Sequence, residues 1–241
     1  MRNKLIALAF TCATAGVLPA AMAATAEITL DWSQAGLSMA FGSGSLLNIN
    51  DGVSIDTQIY TDHGIWFDGG YQTLDTVYGI NKASGQSGAA KALMLENGSS
   101  QVNVSNGGAA IIDLQANAQG VFRVPYAYLL STTGAGDVGA SVSYTFETVN
   151  YQLDGPGSVP TQTFSGSFIA GSSESKSGQG YIEILLSNTT DQLLRFQLVQ
   201  GTTALASSSA VAAVPEPSTY MMMLLGLAGV FASKCYGRRR Q

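Results

Sequence analysis

The chain has 241 residues, of which 46% are hydrophobic and 11% are charged, and its formal net charge is −5. An apolar fraction of this size in a chain of this length can build a core and argues against disorder. Two cysteines and one histidine argue against a disulfide-rich scaffold and against a zinc site.

The N-terminus has the three parts of a secretory signal peptide. The basic start MRNK is followed by an apolar run at 5–18 and then by small residues. We predict a signal helix over 1–23, which directs export of the protein through the Sec translocon and is then removed by signal peptidase. A membrane anchor is the weaker alternative, because the run is short for a span. The residues at the predicted cleavage site are Ala21, Ala23 and Ala24.

The middle of the chain is strongly acidic. Residues 24–214 contain fifteen acidic and five basic side chains, a net charge of −10. This excess argues against nucleic acid and anionic membrane surfaces as partners. Both cysteines, Cys12 and Cys235, lie in the terminal segments, so a mature domain has no thiol for a disulfide, a metal or catalysis.

Short segments of alternating apolar and polar residues fill this middle part. The clearest are 26–32 and 138–146, and about ten occur at regular spacing without a helical period. They predict an all-β fold for 24–200, an antiparallel β-sandwich or jelly roll. Turns are predicted where Gly, Asn and Asp cluster, as at Asn50–Gly52, Asp68–Gly70 and Asn106–Gly108.

Three local features follow from the same patterns. The apolar positions change parity near Glu147, which predicts a bulge there. Segments 181–187 and 193–200 are predicted to pair as a hairpin. The small-residue stretch 201–213 is predicted to be a linker.

Residues 48–75 combine five aspartates, several large aromatic side chains and the only histidine. Asp51 and Asp68 supply the hard oxygen ligands that Ca²⁺ prefers, although such residues more commonly form structural Asx turns. Trp66 and Tyr71 offer flat faces for a sugar, while Trp and Tyr also build β cores. These four residues are the candidate ligand site. Ca²⁺ is the candidate ion, with no other cofactor and no assigned metal site.

No catalytic residue is predicted. The sequence has no G-x-S-x-G elbow, no phosphate-binding P-loop and no strand–GxGxxG–helix unit. A glycan hydrolase with paired carboxylates is the enzymatic alternative, because two carboxyl groups need only meet in the fold.

The C-terminus has three parts in fixed order: a Pro-Glu-Pro motif, an uncharged run at 219–233 and a basic cluster. The run has no polar face and is at the short end for a transmembrane helix. Basic residues after it fit a cytoplasmic flank. The motif is Val214, Pro215, Glu216, Pro217 and Ser218, and the basic cluster is Arg238, Arg239 and Arg240.

This tail, residues 214–241, resembles the PEP-CTERM sorting signal of Gram-negative bacteria, which is also labelled an ice-binding-protein C-terminus. The resemblance implies an exosortase partner that removes the tail, an intermediate anchored in the inner membrane, and a product at the cell surface or in the matrix. Such proteins accompany exopolysaccharide and biofilm. We therefore expect a non-catalytic exported protein that binds exopolysaccharide. The alternatives are a secreted glycan hydrolase and a purely structural matrix protein.

Overall fold

The structure is a computed structural model that describes residues 22–134, 136–150 and 161–209. The predicted transmembrane helix at 219–233 lies outside these residues. Of the predicted signal helix only the last two residues are described, and Ala23 begins the first strand. No α-helix occurs in the described ranges, where a single 3₁₀ turn at Trp32–Gln34 is the only helical element.

Thirteen strands in the described ranges form two antiparallel sheets. The first sheet contains β1 (Ala23–Leu30), β2 (Gly36–Phe41), β5 (Thr73–Tyr78), β6 (Asn81–Gln86), β7 (Ala89–Met94), β9 (Ala118–Thr133) and β12 (Ser175–Asn188). The second contains β3 (Gly44–Thr61), β4 (Gly64–Tyr71), β8 (Gly98–Leu114), β10 (Asp137–Asn150), β11 (Thr163–Ala170) and β13 (Leu194–Ser209).

The strand order of the first sheet is β12-β9-β1-β7-β6-β5, with β2 also paired to β9. The order of the second is β11-β10-β13-β8-β3-β4. All pairings are antiparallel, as in β1 with β7 and β3 with β8. The all-β prediction is therefore confirmed, with two antiparallel sheets arranged as in a β-sandwich.

The core lies between the two sheets. Strand side chains alternate between faces, and Ile28 of the first sheet joins Ile55 and Val102 of the second in one fully buried cluster. A second cluster surrounds Trp32, whose ring centroid lies 6.4 Å from that of Phe122. Each such aliphatic or aromatic side chain contributes about 1.5–3 kcal/mol on burial, so the apolar alternation in the sequence is what holds the sheets together.

Three predicted turns are in fact parts of long strands. Asp51 of β3 lies opposite Gly108 of β8, so the clusters at 50–52 and 106–108 meet as one bend in a continuous pair. Gly52 takes a left-handed φ of +80° at this bend, a conformation that favours glycine. The third cluster, 68–70, lies within β4. Sequence clusters of Gly, Asn and Asp mark backbone irregularity, which a strand also accommodates as a bend.

The predicted hairpin of segments 181–187 and 193–200 is wrong. The first belongs to β12, which pairs with β9, and the second to β13, which pairs with β10 and β8. The chain changes sheets between them, and the buried Asn188 side chain donates hydrogen bonds to three backbone carbonyls at this corner. Both segments bury alternate apolar residues, which a sheet-to-sheet connection satisfies as well as a hairpin does.

The predicted linker and bulge also differ from the structure. Residues 201–209 are the second half of β13, in the centre of the second sheet, while 210–213 lie outside the described residues. Small side chains here alternate between buried and half-buried, so they form a strand rather than a flexible spacer. The predicted bulge is absent from β10, which pairs with β13 in unbroken register from Asp137 to Asn150. The register shift in this region lies one strand further, where β13 pairs with β8 between Leu198 and Gln200.

Candidate functional site

Trp66 lies on the inner side of β4, half-buried, where it stacks on Tyr78 of β5. The alternation of the strand leaves its neighbours Ile65 and Phe67 on the outer side, 55% and 67% exposed. The sequence does not decide which face of this strand is buried. In the structure, the face that carries Trp66 is the inner one. Its ring connects the two sheets through this contact, and a ligand role for Trp66 stays a prediction.

Of the other three candidate ligand residues, Asp68 and Tyr71 lie on the same strand as Trp66 and Asp51 lies on β3. Asp68 is exposed, and its Oδ1 accepts a hydrogen bond from the backbone N–H of Gly69 at 2.9 Å. Asp51 lies at the bend of β3 and β8. Tyr71 is 82% exposed at the end of β4. No group of three or more potential metal ligands occurs in the part of the chain that the structure describes, and calcium binding stays a prediction.

A row of six outward-facing residues crosses the first sheet from one edge to the other. Each lies directly opposite the next on the neighbouring strand. From β12 to β5 they are Gln179, Ala127, Thr29, Ala89, Gln86 and Thr73. We call this set the Gln86 row. Neighbouring strands are about 4.8 Å apart, so the five intervals give the row a length of about 24 Å.

The row forms the floor of a surface depression. Ala127 and Ala89 separate the longer side chains of Gln179, Thr29 and Gln86, and the surface is low at both positions because alanine ends at Cβ. Three depressions of about 390, 680 and 770 Å³ follow the row. Gln86 lines all three, so they adjoin around the hairpin that joins β6 to β7.

The polar side chains of the row are available to a ligand. Five of the six residues are exposed, and Ala89 is half-buried. Four side chains of the row have no hydrogen-bond or ion-pair partner among the described residues: Thr29, Thr73, Gln86 and Gln179. Amides and hydroxyls in this state offer both donors and acceptors to a bound molecule.

A tyrosine stands beside the row towards each edge of the sheet. Tyr181 of β12 is 63% exposed and lines the depression next to Gln179. At the other edge, Tyr71 lines the depression next to Thr73. Gln72, with a left-handed φ of +68°, accepts a hydrogen bond from the Ser87 N–H, which ties this crossover to the β6–β7 hairpin.

Asp31 is the acidic group at the Tyr181 end. Its carboxylate accepts hydrogen bonds from the Ser33 hydroxyl at 2.5 Å, the Ser33 N–H at 3.1 Å and the Gln34 amide at 2.8 Å. The bond from the Ser33 hydroxyl is the main cause that lowers the pKa of Asp31 below its ordinary value. Asp31 is therefore ionised at neutral pH.

Ion pairs border the other side of the row. Lys91 Nζ lies 2.7 Å from Glu27 Oε2, and Lys82 Nζ lies 3.4 Å from Asp75 Oδ2. These four side chains sit on the outer face of the same strands as the row. Their charges cancel in pairs, so this border has polar character without a net charge.

The outer face of the second sheet is also rich in amides, but its amides satisfy one another. Gln101 donates to Asn103 Oδ1 at 3.1 Å, and Thr203 donates to the same oxygen at 3.0 Å. Gln58 donates to the hydroxyl of Tyr60. Because these groups are already paired, the Gln86 row is the better candidate for ligand contact.

Comparison with known families adds a feature outside the described residues. Residues 213–241 match the PEP-CTERM protein-sorting motif. The chain therefore carries a PEP-CTERM sorting motif at residues 213–241. The chain matches no curated protein and no solved structure.

The PEP-CTERM motif indicates exosortase-dependent sorting, through a membrane-anchored stage, to the cell surface or beyond. Exosortase is therefore a processing partner. The motif at 214–218 and the basic cluster at 238–240 lie outside the described residues. None of the helical structure in the described ranges has the length or apolar character that a membrane crossing requires.

Sequence reasoning missed the Gln86 row. Its members come from six strands spread between residues 29 and 179, and Gln, Thr and Ala carry no signal as single residues. Strand alternation could have marked Gln86 and Gln179 as outward-facing. Only the pairing register of the strands places Gln86 and Gln179 in one line, and this register cannot be derived from the sequence.

Proposed function

We propose that the exported domain is a non-catalytic component of the extracellular matrix that binds polysaccharide along the Gln86 row. The observation that carries this proposal is the line of four unengaged amide and hydroxyl side chains along three depressions that share Gln86. Sorting to the cell surface would bring such a surface into contact with extracellular polymers.

The chemistry of the row suits a sugar chain. Amide and hydroxyl groups can donate to and accept from sugar hydroxyls, and each such bond contributes about 0.5–1.5 kcal/mol net. Tyr71 and Tyr181 add exposed aromatic rings with an apolar face and a polar tip. Several weak contacts along about 24 Å favour an extended polymer over a small molecule.

The acidic groups near the row favour binding over hydrolysis. A glycosidase needs a carboxylic acid whose pKa is raised so that it can donate a proton. The pKa of Asp31, at the edge of the depression, is instead lowered by the Ser33 hydroxyl. Glu27 and Asp75 are held in ion pairs with lysines. These groups support a role in which the chain is held rather than cleaved.

Affinity electrophoresis of the processed protein in gels that contain polysaccharide tests this proposal. The double variant Gln86→Ala/Gln179→Ala should lose about twentyfold to thirtyfold in affinity, since each lost hydrogen bond costs about 1 kcal/mol. Gln101→Ala, an amide on the outer face of the second sheet, is the matched control and should bind like the wild type. Equal binding by all three proteins would refute the assignment of the site.

A further inference from the structure

We propose that the Gln86 row takes an uncharged polysaccharide and rejects acidic ones. This inference rests on the proposed function and adds the chemical class of the ligand. It follows from the absence of charge on the floor of the depression and from the pairing of every basic side chain in the described ranges.

The floor itself carries no charge. Its six residues are Gln, Ala, Thr, Ala, Gln and Thr from β12 to β5. An acidic sugar would need a cation or a cluster of N–H donors to replace the water around its carboxylate. The row offers amide groups that are equally donors and acceptors, which match the hydroxyls of a neutral sugar instead.

Every basic side chain in the described ranges is in an ion pair with a carboxylate. Each of the five is within 3.4 Å of a carboxylate oxygen. The pairs are Lys82 with Asp75, Lys91 with Glu27, Arg123 with Glu183, Lys176 with Glu174, and Arg195 with Asp113. The charge of each cation is therefore offset by a neighbouring carboxylate, which weakens its attraction for an acidic polymer.

The remaining charge around the depression is negative. Of the described residues that line the three depressions, Asp31 is the one charged residue that has no ion-pair partner. It lies at the same end as Tyr181. Residues 24–214 as a whole carry a net charge of −10, so a polyanion also meets repulsion over the wider surface.

The geometry also indicates how the polymer lies. The row runs across all six strands in the path of the first sheet, from β12 at one edge to β5 at the other, so neither end is closed by another strand of that sheet. A long chain can therefore cross the sheet with both of its ends outside the depression. The site then recognises an internal stretch of polymer rather than a chain end.

The test compares each neutral polysaccharide with its own carboxymethylated derivative at matched chain length. The processed full protein is run by affinity electrophoresis against dextran, hydroxyethylcellulose, xylan and galactomannan, and against the carboxymethylated form of each. We expect at least one neutral polymer to retard the protein and its carboxymethylated form to bind about tenfold more weakly at low salt. At 0.5 M salt the difference should shrink, because the repulsion is screened.

Two variants make the outcomes separable. Asp31→Asn keeps the shape of the side chain and removes its charge, so it should reduce the discrimination against carboxymethylated polymer while neutral binding is kept. Gln86→Ala/Gln179→Ala should weaken binding of the neutral polymer itself. Carboxymethylated polymers that bind as well as the neutral ones, through the same row, would overturn the inference and leave the proposed function standing. Binding of no polymer, or binding that the row variants do not change, would overturn the proposed function and the inference with it.

Discussion

Trp66 of β4 stacks on Tyr78 of β5, with ring centroids 3.2 Å apart and ring planes inclined by 20°. The two strands are the last strands of the second and first sheets. The stacked pair therefore closes the side of the molecule where the chain passes from one sheet to the other through Gln72. A residue that the sequence offers as a sugar platform has a position that favours a role in holding the sheets together.

Replacing Trp66 by alanine should lower the stability of the domain. We expect a loss of about 2 kcal/mol in the free energy of unfolding, below the range for a fully buried tryptophan because this ring is half-buried. Trp66→Phe should recover part of it. Urea unfolding followed by fluorescence or circular dichroism measures the change. Loss of polysaccharide affinity with an unchanged unfolding midpoint would instead restore the ligand role of Trp66.

Much of the fold is predictable from alternation alone. The segment at 138–146 has apolar residues on one face, and the structure buries Val142 and Phe146 as the period of two requires. The wrong predictions concern which strands pair with each other and where a strand ends. Small residues at 201–209 look like a linker in sequence because alanine and serine fit both settings, but β13 places them between β8 and β10.

The candidate site was less predictable than the fold. Aromatic and acidic residues stand out in a sequence, so Trp66, Tyr71, Asp51 and Asp68 attract notice. Of these, Tyr71 lines the depression that follows the Gln86 row. The row itself depends on strand partners far apart in the chain, such as Thr29 opposite Ala127 and Gln179 opposite the same alanine. Long-range register of this kind is set by tertiary packing rather than by local residue type.

The position of β13 predicts where the folded domain ends. A chain that stops after Gln200 loses the buried residues Thr202, Ala204 and Ala206 from the centre of the second sheet. We expect it to be degraded after export, whereas a chain that stops after Ser209 should accumulate and resist protease. Immunoblots of exported protein with and without added trypsin compare the two. Stable accumulation of the shorter chain would show that the second half of β13 is dispensable.

The natural product of processing should also contain all of β13. If β13 is needed for the fold, the protein released from cells must extend at least to Ser209, the last residue of this strand. Intact-mass measurement of the released protein gives this end directly. A released form that is folded and ends before residue 202 would contradict the strand assignment.

Acid should weaken the domain in a defined window. The hydrogen bond from Lys176 lowers the pKa of Glu174 below its ordinary 4.5, and the hydrogen bond from the Ser33 hydroxyl lowers the pKa of Asp31 below 3.8. A carboxyl group with a lowered pKa in the folded state stabilises it above the unfolded pKa, and this contribution is lost as pH falls through the folded pKa. Urea midpoints should therefore be level from pH 7 to about 5 and fall below about 4.5.

The variant Glu174→Gln isolates one part of this pH effect. It cannot ionise, so the fall in its urea midpoint between pH 5 and 3 should be smaller than in the wild type. Glu147→Gln, at an exposed carboxyl group on β10, is the control. If the midpoints of the wild type and Glu174→Gln follow the same curve, the interaction of Glu174 with Lys176 does not contribute to acid stability.

Sorting should depend on Glu216, the centre of the Pro-Glu-Pro triplet within the matched region 213–241. A proline on each side restricts the backbone and favours an extended segment that a processing enzyme can bind. We expect Glu216→Ala to keep its tail and to stay in the membrane fraction, while Gln241→Ala, outside the triplet, is processed normally. Gel mobility, mass and cell fractionation report both events. Release of Glu216→Ala at the wild-type level would mean that the triplet is not what the exosortase reads.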